Sequence, residues 1–249
     1  MPGSKTSTLK VESENPSLLQ KFSEINKSDR LLLGITTLLF LVASYMAYIF
    51  SPPEIELGDN VRVIYLHIPS AWVSYLAFGI TLVASLQFLR TKSEHYDFLA
   101  SSSVELGLLF CTIALITGSI FSNVTWGSYW NWDPRQTTTL ILWFGYAAYI
   151  ALRTATSEPE KQRQISAVLG ILLFPTIPLS YLSTRIYYSL HPIVVAGTEG
   201  GLAMEPEMGM TLFVSVIAVT FLFIYLLRLV LRVQRAEVHL KVIKYEELY

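Results

Sequence analysis

The sequence predicts an all-α integral membrane protein with six transmembrane helices and both termini in the cytoplasm. Three observations lead to this prediction: 52% of the residues are hydrophobic, only 15% are charged, and the mean hydropathy is +0.46. These values lie well outside the range of soluble globular domains. Six apolar runs of about 20 residues, the length that crosses a bilayer, fill the middle of the chain. They lie at 31–50, 68–89, 104–123, 137–153, 165–184 and 210–232.

The first run, at 31–50, is longer than the apolar core of a signal peptide, and the polar segment before it is also too long for one. We therefore predict an uncleaved first span that follows a cytoplasmic tail at 1–30. The six-helix membrane domain is predicted to extend over 31–232, and a second cytoplasmic tail is predicted at 233–249.

Two later spans carry local helix signals. Asp133, Pro134 and Gln136 stand at the N-cap, N1 and N3 positions of the fourth span, and this spacing predicts a capping box. The fifth span contains Pro175 and Pro178, which are predicted to kink it.

The distribution of Lys and Arg predicts the orientation, because cytoplasmic loops carry an excess of both. All but three of the 18 Lys and Arg residues fall on one side of the six spans, and the exceptions are Arg62, Arg135 and Arg185. This predicts a multi-pass protein of the cytoplasmic (inner) membrane with outer loops at 51–67, 124–136 and 185–209. The outer loops are the longer ones, so we expect the functional site on the outer face.

The composition excludes several function classes. The only cysteine, Cys111, lies inside the third span, so neither a disulfide framework nor a Cys-x-x-Cys redox motif is available. The sequence contains no glycine-rich phosphate loop before a helix, and we predict that this chain binds no nucleotide. A formal charge of −1 gives no case for nucleic-acid binding.

Two histidines are predicted at matched depth on the outer face. His67 lies just before Pro69 at the start of the second span, and His191 lies a few residues beyond the fifth. A single interfacial histidine is usually an amphipathic ring at the headgroup level. Two at the same depth favour a six-coordinate haem with one imidazole on each side of the iron. Zinc is the competing metal, although it normally takes three or four ligands.

Trp126, Trp130 and Trp132 lie within seven residues of one outer loop, beside Tyr129. Tryptophans often form belts at membrane interfaces, but a belt spreads over all helix ends. This concentration favours a platform for a large, flat, apolar ligand such as a porphyrin.

Each of the three predicted outer loops contains one arginine: Arg62, Arg135 or Arg185. Arg suits carboxylates through paired donors, so Arg135 and Arg185 are candidate partners for the propionates of a porphyrin. A solvated or lipid-facing arginine is the alternative, and for Arg62 it is the preferred interpretation.

These residues carry a resemblance to a known family. The run WGSYWNWDPRQT is similar to the tryptophan-rich signature of the haem-handling proteins of cytochrome c maturation. YLHIPSAW with His67, TGSI at 117–120, and IPLSYLS leading to SLHP with His191 resemble segments of the haem exporter protein C (CcmC) subfamily. The resemblance covers roughly residues 31–232. Gln136 stands where the subfamily usually has Leu, and Ile186 and Tyr187 stand where it has a Trp pair.

The resemblance implies a six-helix protein that holds haem b at its outer surface. By this resemblance, His67 and His191 match the axial ligands of the family, and its signature is matched by Trp126, Trp130, Trp132 and Asp133. It also implies the partners: membrane lipid, ABC transporter subunits with a separate ATPase, and a haem chaperone that receives the haem. The chain is then a haem-transfer subunit and not an enzyme.

Two other function classes remain open at this stage. A bis-histidine membrane cytochrome in quinone-linked electron transfer would use the same ligands, although its haem usually lies deeper in the bundle. A permease component for a small substrate normally carries intramembrane charges. Only Glu105 qualifies, and its position near the cytoplasmic end of the third span allows it to snorkel.

Overall fold

The computed structural model describes residues 26–191 and 204–248. Its α-helices are Lys27–Tyr45 (α1), Ile64–Thr91 (α2), Glu94–Trp126 (α3), Pro134–Ala155 (α4), Pro159–Leu173 (α5), Thr176–Ile186 (α6) and Pro206–Leu248 (α7). A π-helical turn, Met46–Phe50, extends α1, and a 3₁₀ helix, Asp59–Val63, leads into α2. The predicted all-α class is confirmed. Most of the predicted N-terminal tail and the segment 192–203 of the third outer loop lie outside the described residues.

Five helical stretches of the described chain are long and apolar enough to cross a membrane. They are Lys27–Phe50, Asp59–Thr91, Glu94–Trp126, Pro159–Ile186 and Pro206–Val238. The remaining predicted span, 137–153, falls in α4, which is helical over 22 residues. Its first turns contain Arg135, Gln136 and three consecutive threonines, so α4 is less apolar than the others.

The helices extend further than the apolar runs that predict them. α3 begins ten residues before its apolar run and continues to Trp126, where Gly127 adopts a left-handed φ of 73° and donates to the carbonyl of Asn123. A left-handed residue at this position is a common helix stop, and glycine adopts it without steric cost. The last residue of α3 is therefore the first tryptophan of the signature.

The predicted kink in the fifth span is confirmed. α5 ends at Leu173, Pro175 lies in the break, and α6 begins at Thr176. Proline lacks the amide hydrogen that would continue the helix, and its ring crowds the preceding turn. The break separates α5 from α6, and α6 leads to His191.

α2 is the central helix of the bundle and packs mainly against α3, α5 and α7, whereas α1 packs against α7. The core between α2, α3 and α4 contains Phe78 stacked on Tyr146 at 3.6 Å between ring centroids, with Cys111 buried beside them. Close aromatic stacking of this kind fixes the relative positions of α2 and α4. Both helices also contribute residues to the cavity that contains His67.

Buried ion pairs join the helices at the ends predicted to be cytoplasmic. Asp97 of α3 is only 3% exposed and accepts two hydrogen bonds from Arg153 of α4, at 2.7 and 2.6 Å. Asp29 at the start of α1 pairs with Arg228 and Arg232 of α7. These contacts connect the helix ends that lie away from the cavity that contains His67.

Glu105, the intramembrane charge of the permease interpretation, has a partner on α7. The side chain of Gln234 donates to its carboxylate at 3.3 Å. The contact places Glu105 at the α3–α7 packing surface.

Candidate functional site

His67 lies inside a helix, and the prediction that it precedes the second helix is wrong. α2 already begins at Ile64 and continues the 3₁₀ helix Asp59–Val63 without a break. Arg62 holds that turn in place, because it pairs with Asp59 at 2.7 Å and donates to the backbone carbonyl of Ala47. Arg62 is thus a structural tie between the end of α1 and the start of α2, not a solvated side chain.

The ring of His67 is oriented by α3. Its Nδ1 lies 3.0 Å from the carbonyl oxygen of Ala114 and 3.2 Å from Oγ1 of Thr117. Since a carbonyl can only accept, Nδ1 carries the proton and Nε2 keeps its lone pair. This arrangement is the usual one for a metal-binding histidine, where a hydrogen bond from the other nitrogen fixes the tautomer.

Gly118 makes room for this ring. A Cβ at position 118 would lie 2.8 Å from Cε1 of His67 and 3.3 Å from its Nδ1, closer than ordinary contact allows. Glycine is therefore required by the approach of α2 to α3 at this point. The TGSI segment places Thr117 and Gly118 next to the Nδ1–Cε1 edge of the ring, a role that local sequence patterns did not reveal.

His191 lies close to His67, and both residues line one cavity. The two ring centroids are 6.3 Å apart and the ring planes are tilted by 58°. A metal–imidazole bond of about 2 Å places each centroid about 3 Å from the metal, so two rings on opposite sides of one ion are about 6 Å apart. The observed separation fits that arrangement. Burial, the Arg135 cation and His67 together lower the pKa of His191 from 6.5 to about 3, so the ring is neutral near pH 7.

Asp133 has two structural roles. As predicted, it is the N-cap of α4, and its Oδ1 accepts from the backbone N–H of Arg135 at 2.8 Å. The predicted capping box is wrong, because the side chain of Gln136 accepts from the backbone N–H of Asn131 instead. The carboxylate of Asp133 also accepts from the hydroxyl of Ser189 at 2.8 Å and from the backbone N–H of Leu190 at 2.8 Å.

The three tryptophans of the signature differ in position. Trp126, at the end of α3, and Trp130 both line the cavity. Trp132 is 75% exposed, does not line the cavity, and meets Trp130 edge to face at 5.9 Å. Its φ of 57° is uncommon for a bulky residue. The structure thus brings two of the three predicted platform residues together around the cavity.

Both candidate arginines line the cavity. Arg135 donates from Nη2 to the carbonyl of Tyr181 at 3.1 Å, and its guanidinium lies over the Tyr181 ring. Its Nε is buried and has no hydrogen-bond partner among the described residues. A buried donor without a partner is costly, so this group is suited to a bound anion. Arg185 lies at the end of α6 and reaches the same cavity.

The cavity has a volume of about 360 Å³, within the range of small-molecule sites. Its lining is mostly apolar and includes Trp72 and Tyr75 of α2. Beneath it, the buried hydroxyl of Ser180 bridges Tyr75 and Thr139, each at 2.9 Å. Trp72, Tyr75, Thr139 and Ser180 come from three different helices and share no sequence pattern, so the sequence alone does not identify them.

His67 and His191 are the imidazole ligands that the described residues offer at this cavity, and Asp133 also lines it. In residues 26–191 and 204–248 there is no group of three or more His, Cys, Asp and Glu that could hold a metal ion. Structural zinc sites take four protein ligands and catalytic ones three. Two opposed imidazoles suit a metal whose other positions are already filled, such as the iron of a porphyrin.

Comparison with known proteins gives a match along most of the chain. The family model of CcmC, described as Heme exporter protein C, matches residues 11–246. Heme exporter protein C of Bradyrhizobium diazoefficiens is 30% identical over 195 residues, which cover 78% of this chain and 74% of that protein. The protein of the same name from Rhodobacter capsulatus is 34% identical over 137 residues, or 55% of this chain and 57% of that protein. A putative cytochrome c biosynthesis ccmC-like mitochondrial protein of Marchantia polymorpha is 30% identical over 151 residues, or 61% and 65%.

Proposed function

The chain belongs to the haem exporter protein C family, and from this premise we propose that it binds haem at the outer membrane–water interface and delivers it to a haem chaperone for cytochrome c maturation. It is a multi-pass membrane protein and a haem-transfer subunit of cytochrome c biogenesis, not a catalytic enzyme. Haem is its cargo.

The observation that carries the proposal is the close approach of His67 and His191. Their ring centroids lie 6.3 Å apart at the wall of a largely apolar cavity, which suits two imidazoles on opposite faces of one porphyrin iron. Trp126 and Trp130 line the same cavity and supply flat, rigid apolar surface. His67 and His191 are the proposed axial ligands, and the signature residues, including the exposed Trp132, form the proposed platform with Asp133.

The charged groups of the cavity suit the propionates of haem. Arg135 presents a buried Nε without a partner among the described residues, and Arg185 lines the cavity from α6. The cargo is proposed to be haem b, held without a covalent bond. Cys111 is fully buried in the core of the bundle, so a thioether bond from this chain to the porphyrin is excluded.

The proposed setting is the inner membrane, with six spans and both termini in the cytoplasm. In this topology α4 is the fourth span, and it is tolerated in the bilayer because Leu142, Tyr146 and Tyr149 bury its inner face against the bundle. The ion pairs of Asp97 and Asp29 lie at the ends that this topology places in the cytoplasm. ABC transporter subunits with a separate ATPase are the proposed partners for energy supply.

The test is the visible absorption spectrum of the purified protein, oxidised and reduced, beside His67→Ala and His191→Ala. The proposal expects a low-spin haem spectrum in the wild type that each substitution abolishes or converts to high spin, and added imidazole should restore it. A wild type that cannot be reconstituted with haem would refute the proposal. Rapid, reversible reduction by a quinol without transfer to an acceptor would favour the cytochrome interpretation instead.

A further inference from the structure

The two proposed ligands are held by different kinds of structure. His67 lies in α2, a helix of 28 residues, and α3 contacts its ring at Nδ1 through Ala114 and Thr117. His191 lies five residues beyond the end of α6, in a segment without regular secondary structure. The position of His67 therefore follows from helix packing, whereas that of His191 requires a separate restraint.

Asp133 and Ser189 supply that restraint. The Ser189 hydroxyl lies 2.9 and 2.8 Å from the two carboxylate oxygens of Asp133, and the backbone N–H of Leu190 donates to the same carboxylate at 2.8 Å. The Ser189 oxygen in turn accepts from the backbone N–H of His191 at 3.1 Å. Hydrogen bonds to a carboxylate are about twice as strong as neutral ones, so this small network can fix a short segment.

We propose that Asp133 and Ser189 form a latch that positions His191, and that His191 is the ligand that leaves the iron when haem is handed on. This inference rests on the proposed function. The neighbouring Tyr187, Tyr188 and Leu190 are exposed, whereas Asp133 itself is only 6% exposed. His191 can move with its short segment, whereas His67 is part of α2 and its ring is held against α3 by the contacts of Nδ1.

The exchange is balanced without a redox step. The coordinate bond between the iron and His191 breaks, and its electron pair stays on the imidazole nitrogen. An incoming neutral or anionic ligand donates its own pair to the vacated position. The oxidation state of the iron and the bond to His67 do not change.

Cyanide serves as the incoming ligand in the test, because its binding to oxidised haem is limited by dissociation of a histidine. The haem-loaded protein is mixed with cyanide, and the rate of the spectral change is measured for the wild type, Ser189→Ala, Ser189→Thr and Tyr188→Phe. Ser189→Ala is expected to react about 10-fold faster or more, since it removes hydrogen bonds to a charged group. Ser189→Thr keeps the hydroxyl and is expected to restore the slow rate. Tyr188→Phe removes a hydroxyl from the adjacent, 90% exposed residue and is expected to match the wild type.

A second set of variants tests whether Asp133 and Ser189 act as a unit. Asn is as good an N-cap as Asp, so Asp133→Asn retains the start of α4 but offers one acceptor oxygen where the latch uses two. The double variant Asp133→Asn/Ser189→Ala is expected to exchange no faster than the faster single variant. Multiplying effects would show independent roles and overturn the latch.

The remaining outcomes also decide the question. Equal cyanide rates for Ser189→Ala and a wild type with a low-spin haem spectrum would overturn the latch and leave the proposed function intact. Loss of haem from Ser189→Ala that added imidazole reverses would support it, because the defect would then lie at one ligand. Loss that imidazole does not reverse, in a variant that still elutes as folded protein, would overturn it. A wild type that binds no haem would overturn both proposals.

Discussion

Gly118→Ala tests whether the approach of α2 to α3 positions His67. The added methyl carbon would lie 2.8 Å from Cε1 of His67, and ordinary contact begins at 3.4 Å, so the ring must move by the difference of about 0.6 Å. The ring is held at Nδ1 by a 3.0 Å hydrogen bond to the carbonyl of Ala114. A shift of that size breaks the bond or rotates Nε2 away from the iron.

The expected magnitude combines two opposite effects. Overpacking a tight site costs about 1–3 kcal/mol, whereas Gly to Ala in a helix interior stabilises by about 0.5–1 kcal/mol. We expect a net loss of about 1–2 kcal/mol in the free energy of unfolding. Separately, the loss of the hydrogen bond that orients the His67 ring, about 0.5–1.5 kcal/mol, should lower haem affinity by up to about tenfold. In a His67→Ala background the obstacle is gone, so the same substitution should become neutral or stabilising.

The assay is haem titration followed at the Soret band, together with thermal unfolding in detergent. Gly79→Ala is the matched control, because Gly79 lies in α2 and a Cβ there meets nothing within 4 Å. That variant should bind haem as the wild type does and be slightly more stable. Wild-type affinity and a low-spin spectrum in Gly118→Ala would refute the assignment of Gly118 as the residue that makes room for His67.

Three further outcomes are expected. Asp97→Ala leaves Arg153, whose side chain is 18% exposed, without its buried partner and should lower the free energy of unfolding by about 3 kcal/mol. An unchanged melting temperature would show that the pair contributes nothing to the bundle. Arg135→Gln should weaken the binding of haem about tenfold but leave the binding of haem dimethyl ester unchanged, since the ester lacks the charge that Arg135 would pair with. Equal losses for both ligands would show that Arg135 does not pair with a propionate. The pKa of His191 is about 3 in the folded apoprotein and near 6.5 when unfolded, so between these values only the unfolded state binds the proton. Its contribution to stability is therefore complete above pH 6.5 and falls as the pH decreases towards 3. Apoprotein melting curves at pH 7.5 and 5 should differ less for His191→Gln than for the wild type, and an equal difference would contradict the low pKa.

The sequence predicts the helices of this fold well because, in lipid, the backbone hydrogen bonds of each apolar run must form within that run, independently of its neighbours. It predicts their ends less well, because contacts distant in the sequence determine them. Arg62 anchors the turn before α2 to the carbonyl of Ala47, so the helix includes His67. α3 begins well before its apolar run, and Asp97 in its first turn pairs with Arg153, which is 56 residues further along the chain.

In the site, too, local patterns predict some features, whereas contacts distant in the sequence determine others. Loop placement and charge distribution suffice to predict that His67 and His191 share one face, and the structure brings their ring centroids to 6.3 Å. The supporting contacts of Thr117 and Gly118 have no local signature, because they depend on how two helices cross. Gln136 shows the opposite case: its spacing from Asp133 predicts a capping box, but the side chain turns to the backbone of Asn131.

Asp133 explains why the signature has an aspartate where other residues would cap the helix equally well. Asn and Ser are about as effective as Asp at an N-cap, so the cap alone does not select a carboxylate. Asp133 accepts from the backbone N–H of Arg135, from the hydroxyl of Ser189 and from the backbone N–H of Leu190. A carboxylate accepts hydrogen bonds at both of its oxygens and has no donor, whereas the side chains of Asn and Ser each have one acceptor oxygen and also a donor. The identity of this residue is therefore set by the segment that carries His191, and substitutions that preserve α4 should still impair the site.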